Sequence, residues 1–322
     1  MSKKTKRWLM IGASLVLAGT LLFVGVMAMF RWDFSKLQKN KFETHTYDIT
    51  DSYKNICIAT DTADVEFVAS EDGTTRIVCY EQKKLTHQVY VQEDTLMIQV
   101  VDARAWYDYI GINFGTPKLT VYIPWQVVYG DLVLAGDTGD LQIPRAFLFK
   151  NMDISLSTGD VVSQAQCVGP VKVETSTGHI TLENVNAQSL DLTVSTGNVT
   201  LSKVECQEDI SIGVSTGETK LTDVTCRNFI TTGSTGDVQM ENVTVTEKIT
   251  FKRSTGDIVL DGCGAQEIEG ETDTGDVSGN LHSTHIYIVD TNTGKIIVPE
   301  STEGGKCRIT TSTGDVSFAQ ER

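Results

Sequence analysis

A chain of 322 residues with 40% apolar content, 27 Gly and only 5 Pro excludes a disordered polymer and suits a regular fold with many turns that need positive φ. Its net charge of −15 is unevenly placed, because residues 1–41 carry eight Lys or Arg and one acid, Asp33, leaving 19 basic and 41 acidic residues, a net of −22, for the remainder. So acidic a surface repels phosphate, and no Lys/Arg stripe with interleaved aromatics offsets that repulsion, which excludes nucleic acid as a partner.

Residues 1–7 read as a cytoplasmic tail and residues 8–30 as a transmembrane helix. Trp8 to Phe30 are 23 residues without a charge, enough at ~1.5 Å per residue to span a ~30 Å hydrocarbon core. Lys3, Lys4, Lys6 and Arg7 precede this run, so the positive-inside rule places the tail in the cytoplasm. The expectation is a single-pass protein of the cell membrane with its C-terminal domain outside. Arg31, Lys36, Lys39 and Lys41 follow the helix and reduce the charge bias, while Val26-Met27-Ala28 loosely matches a signal-peptidase site. The apolar run exceeds a usual signal h-region, and an uncleaved anchor is expected. Residues 31–45 read as a linker.

Residues 46–131 predict an N-terminal β cap. Asp61-Thr62-Ala63-Asp64-Val65-Glu66-Phe67 is a degenerate copy of a turn and strand that recur later, and alternating strands follow at 76–80, 89–91, 96–101 and 119–123. A cap of this kind covers terminal strand edges and apolar side chains that would otherwise be open to water. Trp106-Tyr107-Asp108-Tyr109-Ile110, with Phe114 and Trp125 nearby, reads first as the closure of a small hydrophobic core and second as a patch for glycan or lipid headgroup.

Residues 132–322 carry ten copies of one turn, at Thr138-Gly139, Thr158-Gly159, Thr177-Gly178, Thr196-Gly197, Thr216-Gly217, Thr235-Gly236, Thr255-Gly256, Thr274-Gly275, Thr293-Gly294 and Thr313-Gly314. Successive threonines are 19 or 20 residues apart, a period that matches one coil of a solenoid and is too short for a propeller blade or a helical pair. Apolar residues stand two and four positions after the Gly, as in Leu141/Ile143, Ile180/Leu182, Val199/Leu201, Val238/Met240, Ile258/Leu260, Ile296/Val298 and Val316/Phe318. A second column is Val185, Val204, Val224 and Val243, and a third set includes Leu190-Leu192-Val194 and Ile210-Ile212-Val214. The fold class is therefore all-β, a parallel β-solenoid (β-helix) of about ten coils with an N-terminal cap, preceded by one membrane helix. The Gly fits a corner of left-handed φ, the Thr can form a hydroxyl ladder, and the motif is structural rather than a site.

An N-terminal membrane segment, the Ala63-Asp64-Val65-Glu66 and Leu119-Thr120-Val121-Tyr122-Ile123-Pro124 strands, and tandem Ser-Thr-Gly-Asp coils together resemble a bacterial "putative adhesin" family of β-strand repeats, a domain of unknown function. The resemblance covers residues 46 to 320. It implies a Gram-positive envelope protein, in a family some of whose members take part in envelope-stress responses, and it supplies no catalytic motif. His179, Asn198, Glu218 and Lys295 depart from the Asp that usually follows the Gly.

Seven of the ten residues after the turn Gly are acidic. Glu218, Asp237, Asp257 and Asp276 occupy consecutive coils and could share calcium along a ladder. Against that, the Gly-rich nonapeptide of the calcium β-roll is absent, and Asp beside a turn commonly accepts backbone hydrogen bonds, so no metal or cofactor is expected. Cys206 and Cys226 lie in adjacent coils at similar positions, also occupied by Cys167 and Ala187, and read either as a disulfide or as small buried column residues; Cys57 and Cys79 read as lying in neighbouring cap strands. His282 and His285 read as surface residues. A polysaccharide-cleaving β-helix enzyme is the alternative of another class, but the carboxylates recur uniformly and no long loop builds a cleft wall. The expected function is a non-enzymatic, membrane-anchored envelope scaffold, held in the membrane by residues 8–30, that binds an extracellular protein, glycan or cationic peptide. The alternative within binding proteins is a regulatory partner of a membrane sensor.

Overall fold

The computed structural model describes residues 2–33, 41–109 and 115–320. Helix α1 spans Lys3–Met29, capped by Ser2, whose hydroxyl accepts the Thr5 N–H at 3.2 Å. It starts before the apolar run because Lys and Arg are themselves good helix formers. Within Lys4–Met29 an 18-residue window has a mean hydropathy of 2.3 and none of it is buried in the protein, so the helix is long and apolar enough to cross a membrane. Lys36 and Lys39, counted above in the basic cluster, lie outside the described residues.

The remainder is β structure. Strands β1 (Phe42–Ile49), β2 (Asn55–Thr60), β3 (Asp64–Ser70), β4 (Thr75–Gln82), β5 (Leu85–Gln92), β6 (Thr95–Asp102) and β7 (Lys118–Pro124) precede β8 (Val128–Thr138) and β9 (Leu141–Ile143). β1 begins inside the segment read as linker. From β8 onward each coil repeats one plan. A long strand ends in the Ser-Thr-Gly turn, a short strand follows, and a second corner leads to the next coil. That second corner holds Asn184, Lys203, Asp223 and Asn242 in the left-handed region at φ 53 to 55°, with Gly262 next at φ 61°.

Parallel pairing sets every equivalent residue beside its copy, so Thr138, Thr158, Thr177, Thr196, Thr216, Thr235, Thr255 and Thr274 form one column. Inside run the columns expected from alternation: Val185, Val204, Val224 and Val243 are buried, as are Leu190, Leu192, Val194, Ile210, Ile212 and Val214. Each buried Leu or Ile side chain stabilises by about 1.5–3 kcal/mol relative to exposure, and the single continuous core holds the coils in register.

The two ends depart from sequence order. At the N-terminal end β2 pairs in parallel with both β8 and β6, and β3 with both β9 and β7. β2 and β3 thus form a genuine coil, with β6 and β7 as a further layer outside it. Antiparallel pairing of β4 with β7, β1 with β4, and β5 with β6 then finishes the cap. At the other end the last two coils exchange places. Strand Gly305–Thr313 pairs with Glu267–Thr274 on one side and with His285–Thr293 on the other, so Thr313 stacks between Thr274 and Thr293. The coil containing Thr293 is consequently terminal, and Ile296, expected to face the core, is 47% exposed while Val298 is only partly buried.

Several inward positions of the coils are polar, among them Ser163, Thr175, Thr219, Thr231, Thr272 and Thr311, and one is charged. Arg253 is 1% exposed, and its guanidinium donates to Val214 O at 3.0 Å, Thr219 Oγ1 at 2.7 Å and Thr231 Oγ1 at 3.1 Å. Its neighbours in the column are Gly233 and Thr272. Gly233 leaves the space that the guanidinium fills, since a Cβ there would overlap Arg253 Nη1. Burial pushes the group down to about 10.

Candidate functional site

The turn is built by stacking. A Cβ on Gly197 would run into the carbonyl oxygen of Gly178, and the residue sits at φ +143°, so Gly is required twice over. The N–H of each turn Gly except Gly294, on the terminal coil, donates to the Thr carbonyl of the coil beside it, as in Gly178 to Thr196 O at 3.0 Å and Gly256 to Thr274 O at 2.9 Å. The expected hydroxyl ladder does not form. Among the described residues no hydroxyl bond joins successive turn threonines, whose side chains are exposed; the column is held through backbone carbonyls instead.

The residue after each Gly does carry a side-chain ladder. Asp140 Oδ1 accepts the Asp160 N–H at 2.8 Å, and Asp160 Oδ1 accepts that of His179 at 2.8 Å. His179 Nδ1 accepts from Asn198 N at 2.9 Å, and Asn198 Oδ1 from Glu218 N at 2.9 Å. Further along, Asp237, Asp257 and Asp276 accept from Asp257, Asp276 and Asp315 respectively at 2.7 to 2.9 Å. His179 and Asn198 are therefore not breaks in the ladder, because each supplies an acceptor at the same place. Glu218 is one methylene longer, and among the described residues the rung between Glu218 and Asp237 lacks this bond. Asp315 Oδ1 accepts the Lys295 N–H at 2.7 Å. Lys295, which cannot accept, stands on the terminal coil where no further N–H needs an acceptor. This geometry gives Asp237, Asp257 and Asp276 a backbone partner each, the role sequence reasoning set against calcium.

The aromatics of the cluster that the structure describes do not close a core. Trp106 is 77% and Tyr107 50% exposed on the short 3-10 turn Trp106–Tyr109 after β6, with their rings 5.9 Å apart, edge to face. Lys84 Nζ lies 5.6 Å over the Tyr107 ring and 2.8 Å from Asp108, which is buried and anchors the turn by accepting the Ala105 N–H at 2.9 Å. Trp125, also about half exposed, follows β7 at its far end. Ile110 and Phe114 lie outside the described residues.

The cysteines are free thiols. Cys206 Sγ bonds to Gln188 O at 3.2 Å and Cys167 Sγ to Lys150 O at 3.2 Å, which fits the column reading. Burial pushes the Cys226, Cys263 and Cys307 thiols up to about 12, so they are poor nucleophiles. Cys57 and Cys79 do not lie in neighbouring strands: Cys57 on β2 pairs with Met97 and Val133, Cys79 on β4 with His45 and Leu119. His285 is also corrected, being buried with Nδ1 2.8 Å from Ser283 O and Nε2 3.0 Å from Ala265 O. Sequence reading missed a buried polar group in the cap, Cys79, Glu81 and His87, whose signal is a Cys-x-Glu pair on one strand face with a His just past the next turn.

The family described as Toastrack DUF4097 matches residues 53–208 and again residues 203–321. No functionally curated protein matches the chain. Among solved structures the chain is similar to a protein named "putative adhesin" from Bacteroides fragilis, at 15% identity over 87% of this chain and 97% of that one, TM-score 0.42. A second of that name, from Parabacteroides merdae, is 15% identical over 88% and 98%, TM-score 0.46. A third, named "putative lipid binding protein", from Parabacteroides distasonis, is 13% identical over 86% and 97%, TM-score 0.47.

Proposed function

We propose a non-enzymatic binding role for this chain, which belongs to the Toastrack DUF4097 family. It is a membrane-tethered envelope scaffold whose rod, held outside the cell by α1, presents an acidic surface to a cationic protein segment or peptide. The observation that carries this reading is the net charge of −22 over residues 42–322, of which −8 falls in the cap (42–131) and −14 in the coils (132–322). A long uniform field of one sign concentrates and orients an oppositely charged partner. The non-enzymatic part rests on the even spread of carboxylates, most of which in the turn column are bonded to backbone.

Full-length protein in lipid nanodiscs, titrated with a Lys-rich peptide and with a neutral peptide of equal length, tests the reading. Saturable binding of the cationic peptide alone, weakened as salt is raised, is the expected result. Absence of saturable binding, or equal binding of both peptides, overturns it.

A second reading is favoured by the exposure of Trp106 and Tyr107. Amphipathic rings on a rigid turn suit a lipid headgroup or glycan. A Trp106→Ala, Tyr107→Ala variant that keeps full vesicle and glycan binding would remove this version.

A further inference from the structure

We propose that Cys79, Glu81 and His87 form a binding site for a divalent transition-metal cation of zinc's class inside the N-terminal cap. One donor atom from each lies within 4.8 Å of the others, and all three residues are buried. The placement follows from the strands. Cys79 and Glu81 are two apart on β4 and share a face. β4 and β5 pair only at Gln82 and Leu85; from there β4 joins β1 and β7 while β5 joins β6. The two strands therefore diverge to different walls of the cap, and Glu81 and His87 meet between them.

The donors are held by one another and by residues outside the set. Glu81 Oε1 is 2.8 Å from His45 Nδ1, and Oε2 accepts the His87 backbone N–H at 2.8 Å and faces His87 Nδ1 at 2.7 Å. His87 Nε2 is 3.1 Å from Thr60 Oγ1, and the Tyr47 hydroxyl donates to His87 O at 2.9 Å. Outer contacts of this kind fix ring and carboxylate orientation around metals. Bonds of about 2.0–2.3 Å to a tetrahedral ion place donors roughly 3.3–3.8 Å apart, so the widest pair must close by about 1 Å while Glu81 Oε2 and His87 Nδ1, now 2.7 Å apart, exchange their hydrogen bond for the metal and move apart.

The donor chemistry selects the ion. Thiolate and imidazole favour zinc and its neighbours over calcium or magnesium, which take oxygen. A dication with one thiolate, one carboxylate and a neutral imidazole is uncharged overall, which offsets the cost of placing a carboxylate at 1% exposure. Burial first and Glu81 second push the Cys79 thiol up to about 12. Coordination therefore breaks the S–H bond as the metal–sulfur bond forms, and the proton leaves to solvent. His45 is partly exposed on β1, the side from which an ion would enter.

Full-length protein in detergent, reduced and freed of metal by chelator, is titrated with zinc and separately with cobalt(II). One equivalent bound, a thiolate-to-cobalt charge-transfer band and a rise in Tm with zinc are the expected results. Cys79→Ser abolishes the band and Cys226→Ser retains it, while His45→Gln weakens binding by about 10-fold. A wild-type protein that shows no charge-transfer band with cobalt overturns the proposal whether or not the variants fold, and so does a band that survives Cys79→Ser.

Discussion

The middle of the rod and its two ends obey different rules. In the middle every coil is paired with a copy of itself, and at every described rung but the one between Glu218 and Asp237 the residue after the Gly donates to one neighbour and accepts from the other. At the ends a neighbour is missing. The chain responds at the N-terminus by placing β6 and β7 outside β2 and β3 and finishing with antiparallel strands. At the C-terminus it tucks its final coil beneath the preceding one. The coil left outermost is the one whose ladder residue is Lys295, which cannot accept, and whose Ile296 is exposed. The coil taken inside offers Asp315 together with buried Val316, Cys307 and Ile309. The better copy of the repeat occupies the position with two neighbours.

The largest effect that breaks or confirms this contrast is all-or-none. Thr274→Cys with Thr313→Cys places two thiols on paired residues, within disulfide reach. Thr274→Cys with Thr293→Cys places them two layers, about 10 Å, apart, beyond the ~7 Å limit. Oxidation followed by non-reducing mass mapping should link only the first pair, and a 274–293 link would restore simple sequence order.

Arg253 tests how strictly the middle demands an apolar core. Its positive charge is buried with three hydrogen bonds and, among the described residues, no partner for Nε. Arg253→Met fills the same space without the charge and should stabilise by about 1–3 kcal/mol, read as a higher Tm. The folded pKa lies below the unfolded value, so the cost of the charged form is complete at neutral pH and fades only as pH rises through about 10. The gain should accordingly be constant across roughly pH 6–9. A lower Tm would mean that the hydrogen bonds outweigh the buried charge.

The smallest effect separates rung from end. Asp315→Ala removes the acceptor of the Lys295 N–H and should lower Tm by about 1–2 °C, whereas Lys295→Ala should leave it unchanged. Equal losses would place Lys295 inside the stack.

Several of these features could have been read earlier. The alternation Ile249, Phe251, Arg253 already pointed the arginine inward. Lys295, unable to accept, already marked a terminal rung once the ladder's hydrogen bond was known. The buried Cys79, Glu81 and His87 group was half visible: Cys79 and Glu81 share a strand face by period, but His87 reaches them only because β4 and β5 part after one pair, and parting strands leave no periodic trace.

What the sequence determined unaided was the solenoid and its core columns, through a turn repeated every 19 or 20 residues, and the apolar N-terminal helix, through one uncharged run of 23 residues, because each rests on local pattern alone. What only the tertiary structure decided was the exchange of the last two coils, the exposure of Trp106 and Tyr107, and the polar cluster of the cap. Those depend on which backbone edges find a neighbour and which do not, a balance struck across the whole stack rather than within any single repeat.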